Sequence, residues 1–268
     1  MTMTSRPFDT RRFPGFAPLS IAVLAFLYIP LVVIGVYAFN SNRVVTIWKG
    51  FSTSWFSEVW RREDIRDAMS TSMIVATIAM IVSVVLATGA ALGLVGMARR
   101  RSVVALGLIG SPLVVPEIVS AVATLSFFVL VKMPLGRTSV ILAHIAFCIP
   151  FAFLPIRARL ADLDPRVFEA AVDLGATPTR VLRRVTLPLL GPGIVSGALL
   201  AFIISLDDYL ISSFVSGPGV TTLPVFIFGM IRNGITPAVN ALSTLLLLVS
   251  FAALSLSFVV SNRTHRSP

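Results

Sequence analysis

Charge is scarce in this chain, and one sign of it is scarcer still. Only 13% of its 268 residues are charged, with 12 acidic side chains against 22 basic ones. A soluble domain of this length must cover its surface with polar groups, and this composition does not supply them. Lysine is nearly missing: Lys49 and Lys132 stand alone, so arginine carries the basic excess. Neither lysine sits in a Gly-Lys-Ser/Thr context, which excludes a P-loop and with it an ATPase site in this sequence. The single cysteine, Cys148, excludes an internal disulfide. No internal repeat is evident, direct or inverted, which weighs against a single-chain secondary transporter or channel. No cleavable signal peptide is expected either, because the first apolar run, Phe16 to Phe39, is long enough to span and lacks a small-residue cleavage site.

What the chain has instead is apolar length. Hydrophobic residues make up 56% of it and the mean hydropathy is +0.92. No charge falls between Asp67 and Arg99, whereas ~20 apolar residues already cross ~30 Å of hydrocarbon. The pattern predicts an all-α integral membrane protein with six transmembrane helices, at 16–39, 69–97, 103–131, 138–156, 191–214 and 237–261. The domain spans 16–261, between an N-terminal segment 1–15 and a C-terminal tail 262–268. The net charge of +10 would suggest nucleic acid in a soluble protein. Here the arginines flank apolar runs, so they set orientation. With cytoplasmic termini, 14 basic residues fall inside and 8 outside. The Arg99-Arg100-Arg101 run is the strongest anchor. Both termini are therefore expected in the cytoplasm of a bacterial inner membrane.

The loop 157–190 then lies inside and carries the main signal. Asp164 is a good N-cap and Pro165 a good first helical residue. Gly175 suits the left-handed position that ends a helix. Thr177 and Pro178 open a second short helix that runs to about Val185, and Leu187-Pro188 is expected to stop it before the fifth span. Small residues, Ala170 and Ala171, let another surface approach the first helix closely. The string Glu169-Ala170-Ala171, Gly175, Val185, Leu187-Pro188 resembles the EAA motif of ABC importer permeases, with Val185 where that family often has isoleucine. The resemblance implies that Glu169, Ala170, Ala171, Gly175, Leu187 and Pro188 couple this loop to a separate cytoplasmic ATPase. No cofactor is then expected in this chain, since ATP and Mg belong to that partner.

Three carboxylates fall within spans: Glu117, Asp207 and Asp208. An ionisable group near the bilayer centre costs roughly 2.5–3.5 kcal/mol, so such residues face a cavity or a partner. Counting ~1.5 Å per residue from the inner ends of spans three and five puts Glu117 and Asp207 both ~20 Å deep. Pro112 and Pro116 disturb the helix ahead of Glu117. No basic residue of the spans is available to pair with these acids, so they predict a cationic cargo. An inside-negative potential favours its inward movement by ~2.3 kcal/mol per charge per 100 mV. Trp48, Trp55 and Trp60 lie in the external segment 40–68 and offer cation–π faces. His144 and Cys148 share a helical face but lack further ligands, so they read as packing residues and not as a metal site. Gly89-xxx-Gly93 and Gly193-xxx-Gly197 allow close helix approach.

Pro116-Glu117-Ile118-Val119, Ser205-Leu206-Asp207-Asp208-Tyr209, Ser216-Gly217-Pro218 and 236–242 (TPAVNAL) are similar to the spermidine/putrescine importer permeases. So are Tyr28-Ile29-Pro30 and Phe39-Asn40-Ser41. The resemblance covers nearly the whole chain. It implies a type I ABC importer permease fold, a second homologous permease subunit, two copies of an ABC ATPase and a periplasmic polyamine-binding protein. It also implies that Trp55, Glu117, Asp207 and Asp208 line the substrate path. The alternative within the same architecture is another small amine, such as an opine.

Overall fold

The structure, a computed structural model, describes residues 16–44, 47–234 and 236–264. The expected N-terminal segment 1–15 and the end of the expected tail, 265–268, lie outside the described residues. Regular structure among the described residues is helical, apart from one isolated bridge between Asn40 and Phe51. The helices are α1 (Phe16–Tyr37), α2 (Ser54–Arg61), α3 (Glu63–Gly93), α4 (Arg99–Val114), α5 (Glu117–Leu130), α6 (Arg137–Ala161) and α7 (Pro165–Asp173). Then follow α8 (Pro178–Val181), a π-helical turn (Leu182–Thr186), α9 (Leu187–Asp207), α10 (Leu210–Val215), α11 (Leu223–Arg232) and α12 (Pro237–Thr264).

Five of the described helical segments are long and apolar enough to cross a membrane, and the bent pair α4 and α5 completes six. The third span is therefore not the straight helix expected over 103–131. Its halves meet at 108°. The cause is local: Pro116 excludes the residue before it from the helical region, and Val115 is extended at φ −72°, ψ 130°. Residue counting along one straight helix consequently does not give the depth of Glu117. The second span begins six residues earlier than the apolar run, at Glu63. Its first turn carries Glu63 and Asp64, which suit the positive end of the helix dipole. Asp64 is further held by the Arg62 guanidinium at 2.5 Å.

The expected stop at Leu187-Pro188 is also absent. α8 runs through the π turn into α9, and the Leu187 amide donates to the carbonyl of Leu182, five residues back. The widened turn is where the chain accommodates a proline that has no amide proton and whose ring crowds the preceding turn. Leu187 and Pro188 thus belong to the base of the fifth span. The fourth span likewise runs past its expected end, through Pro150 and Pro155 to Ala161.

α3, α6 and α9 form the centre of the bundle. Small residues bring them together: Ala87, Ala91, Ala152 and Ala201 are buried around Phe153 and Ile156. The spacing of Gly193 and Gly197 serves this contact within the chain. A Cβ on Gly193 would lie 2.6 Å from the Arg159 Cβ, and one on Gly197 would lie 2.6 Å from the Ala152 carbonyl oxygen. α10 packs on α5 and α6, around Val75, Ala121, Phe128 and Ile211. A third cluster joins α2, α11 and the start of α12, where Trp55, Val59, Leu223 and Leu242 are buried. α1 has no buried residue within this chain.

The turn after α10 closes on the loop before α6. A Cβ on Gly217 would fall 2.0 Å from the Leu135 carbonyl oxygen, which no side chain rearrangement can relieve. Ser139 reinforces the seam by donating its hydroxyl to the Val215 carbonyl at 2.8 Å. Gly217→Ala should therefore separate α10 from α6, with a penalty of at least ~1–3 kcal/mol. The measurement is the melting temperature of the purified protein in detergent. An unchanged midpoint would show that the turn has room to shift.

Candidate functional site

Two helix breaks bring the acids together. At the first, Pro116 ends the extended link and Glu117 opens α5. At the second, α9 ends at Asp207, and Asp208 is extended at φ −67°, ψ 122° before α10 begins. Because α5 packs on α10, the two breaks lie side by side, which brings Glu117, the first residue of α5, toward Asp208, which precedes α10. The convergence expected from the sequence is present, with a change of partner. Asp208 is the aspartate held within the bundle beside α5, whereas Asp207 faces a groove.

The neighbouring aspartates point into different surroundings. Asp208 is buried, 6% exposed. Its Oδ1 accepts from the Ile211 amide at 3.2 Å and its Oδ2 from the Ser212 amide at 2.8 Å, so it satisfies the free amides that open α10. Asp207 is exposed and lines a cavity of about 470 Å³ between α1, α11 and α12. Tyr209 and Phe228 stand in the same wall, with ring centroids 4.5 Å apart. Ser243, Thr244 and Ser250 add hydroxyls from α12. A carboxylate beside two aromatic rings in a largely apolar groove suits an alkyl ammonium group, which wants a counter-charge, π faces and room for methylenes.

His144 changes the reading of the acids. Its ring is 1% exposed, and Nε2 lies 3.2 Å from Asp208 Oδ2. Nδ1 is 2.7 Å from Ser205 Oγ, and Nε2 is 3.0 Å from Ser212 Oγ. The expectation that no basic group of the spans faces these acids is thus corrected, because a residue assigned to packing supplies one. A lone histidine on an apolar face carries no sign of its partners, which come from α9 and α10. Tyr209 and Phe228 were missed for the same reason, although Tyr209 adjoins the aspartates in the chain. Cys148 remains a packing residue, buried against the Ala201 carbonyl.

Trp55 is not the open ring face expected at the outer mouth. It is 8% exposed, packs in the cluster formed with α11 and α12, and donates its Nε1 hydrogen to the Asn40 carbonyl at 2.7 Å. The physical reason is that α2 is amphipathic, and Trp55 and Val59, four residues apart, form its buried stripe. Trp48 and Trp60 are the exposed tryptophans of this segment.

The loop 157–190 has the N-cap at Asp164 and the glycine corner read from its sequence, whereas Thr177 precedes α8 without a side-chain cap. Asp164 caps α7 by accepting from the Arg166 amide at 2.9 Å. Gly175 has φ +78°. The Gly175 amide donates to the Val172 carbonyl at 2.8 Å and the Ala176 amide to the Ala171 carbonyl at 3.1 Å, which is the double closure of a Schellman motif. No α7 residue is buried, and Glu169 and Ala170 are exposed. Leu174 is 89% exposed at its end.

The same arrangement of helices occurs in the membrane subunits of ABC importers. The crystal structure of a bacterial ABC transporter involved in the import of the acidic polysaccharide alginate superposes with a TM-score of 0.69 at 15% identity, over 94% of this chain and 98% of that one. An amino acid ABC transporter gives 0.59 at 18% identity, over 78% of this chain and 98% of that one. These likenesses establish the fold. The sequence narrows it: residues 78–266 match the family described as the binding-protein-dependent transport system inner membrane component. The putrescine transport system permease protein PotI of Escherichia coli K12 is 42% identical over 229 residues, 83% of this chain and 82% of that protein. The spermidine/putrescine transport system permease protein PotC of Haemophilus influenzae is 37% identical over 243 residues, 91% of this chain and 95% of that protein. The chain belongs to the family of binding-protein-dependent inner-membrane transport components. It is a permease subunit of an ABC importer, a transport component and not an enzyme.

Proposed function

We propose that this permease passes polyamines across the inner membrane, with Asp207, Glu117 and Asp208 as the acids of the path. The observation that carries the reading is the placement of Asp207. It stands at a helix break, exposed to a groove, beside Tyr209 and Phe228. The names of the two relatives point to the same cargo. Each ammonium that leaves a soluble carrier must exchange its water and carboxylate partners for new ones, or its desolvation costs several kcal/mol. Trp55 contributes by packing the approach at the α2 end of the bundle.

The assembly proposed is this chain, a second homologous permease subunit, two copies of an ATPase and a periplasmic binding protein. Both termini and α7 face the cytoplasm in this reading. Glu169, Ala170, Ala171 and Gly175 present the docking surface, and Leu187 and Pro188 connect it to the fifth span. The experiment is ATP-dependent uptake by the reconstituted complex of labelled putrescine and spermidine against an opine, another amine and a neutral sugar. Polyamines should be taken up first. Preference for the opine or the other amine would overturn the polyamine assignment, and preference for the sugar would overturn the cationic cargo altogether.

A further inference from the structure

We propose that His144 is a positioning residue of the cargo path: held on α6, it bridges the break between α9 and α10, locks Asp208 inward and so leaves Asp207 as the acid presented to the groove. The inference rests on the reading of Asp207 as a cargo contact. The imidazole touches both sides of the break. Nδ1 meets Ser205 on α9 at 2.7 Å, and Nε2 meets Ser212 on α10 at 3.0 Å and Asp208 Oδ2 between them at 3.2 Å. All four side chains are buried.

The break itself gives such a bridge a task. Asp207 ends an apolar helix, the backbone at Asp208 turns extended, and the local draw on Asp208 is that of the two amides opening α10. The amides of Ile211 and Ser212 attract Asp208 from one side, and the ring holds it from the other. Without the ring, Asp208 would lose its partner on α6 while remaining next to Glu117. The two carboxyls would then compete for the same small set of donors. Repulsion between them is relieved by rotating the break, which moves Asp207 and Tyr209 away from Phe228. The effect on transport is therefore exerted through Asp208 and the backbone, with no contact between His144 and cargo.

The test uses the whole complex in proteoliposomes, with uptake normalised to assembled protein. His144→Leu fills the space without hydrogen bonds, and should lower the polyamine uptake rate by about tenfold or more. His144→Gln restores a donor and an acceptor, and should recover most of that loss, which a role in filling volume would not predict. Asp208→Asn should cost much less in the His144→Leu background than alone, because the two residues act as a unit. If His144→Leu does not assemble, the pair Ser205→Ala and Ser212→Ala releases the ring and should lower uptake in the same direction. Full uptake by His144→Leu or by that serine pair, or equal loss in His144→Gln and His144→Leu, would overturn the proposal. Asp207→Asn is measured alongside: its full activity would sink the cargo contact, whereas its loss together with an active His144→Leu would sink only the positioning role.

Discussion

Polyamine uptake by Asp207→Asn should fall about thirtyfold or more at equal levels of assembled complex. The substitution keeps shape and removes one charge from the groove wall. At ~4 Å and an effective dielectric constant near 20, a carboxylate and an ammonium attract by ~4 kcal/mol before desolvation is subtracted. Loss of one partner from a desolvated charge pair typically costs ~2–5 kcal/mol, and the lower part of that range gives the stated factor. Asp207 is the acid that lines the groove, whereas Asp208 is engaged by His144 and two backbone amides. Glu117→Gln should also lower uptake strongly, since it replaces the acid at the α5 break beside Asp208. Initial rates at limiting polyamine decide the matter. Wild-type rates in Asp207→Asn would mean that the cargo does not contact this residue, and the cation argument would then rest on the relatives alone.

Replacing Gly175 by valine should cut cargo-stimulated ATP hydrolysis about tenfold while leaving the membrane helices assembled. The cause is backbone conformation and not crowding. Gly175 has φ +78°, and a Cβ there would meet no atom within 4 Å. A left-handed conformation costs an ordinary L-residue ~1–2 kcal/mol, and a β-branched one more. The least costly escape is to abandon the double hydrogen-bond closure after α7, which would swing α7 away from the line of α8 and α9. Because α8 continues into the fifth span, that corner is the joint between α7, proposed to dock on the ATPase, and the span that carries Asp207. Asparagine tolerates the left-handed region, so Gly175→Asn should retain most of the stimulation. Equal behaviour of the two variants, or normal stimulation in Gly175→Val, would remove the corner from coupling.

Much of this molecule was legible because its signals are local or additive. Membrane residence follows from apolar length, which is summed along the chain and needs no tertiary contact. The α7 corner follows from an N-cap, a proline at the first helical position and a glycine in the left-handed region, all within twelve residues of sequence from Asp164 to Gly175. Helix ends were less legible. Charged first turns extended α3 beyond its apolar run, and a π turn carried α8 through the proline expected to stop it.

By itself, then, the sequence determined the apolar spans, the glycine corner after α7 and which acids lie on or beside apolar helices. It could not determine which acid faces which neighbour. Asp207 and Asp208 are adjacent and chemically alike, and it is the capping of α10 by Asp208 together with the packing of α10 on α5 and α6 that turns one into the bundle and the other toward a groove. His144 lies 61 residues from Ser205 and 68 from Ser212 along the chain, so its role exists only once α6, α9 and α10 are in contact. The 108° bend of the third span belongs to the same class. Prolines announce that a helix can break, but the direction of the break is set by what the second half packs against. Here that partner is α10, and its packing is what carries Glu117 to Asp208.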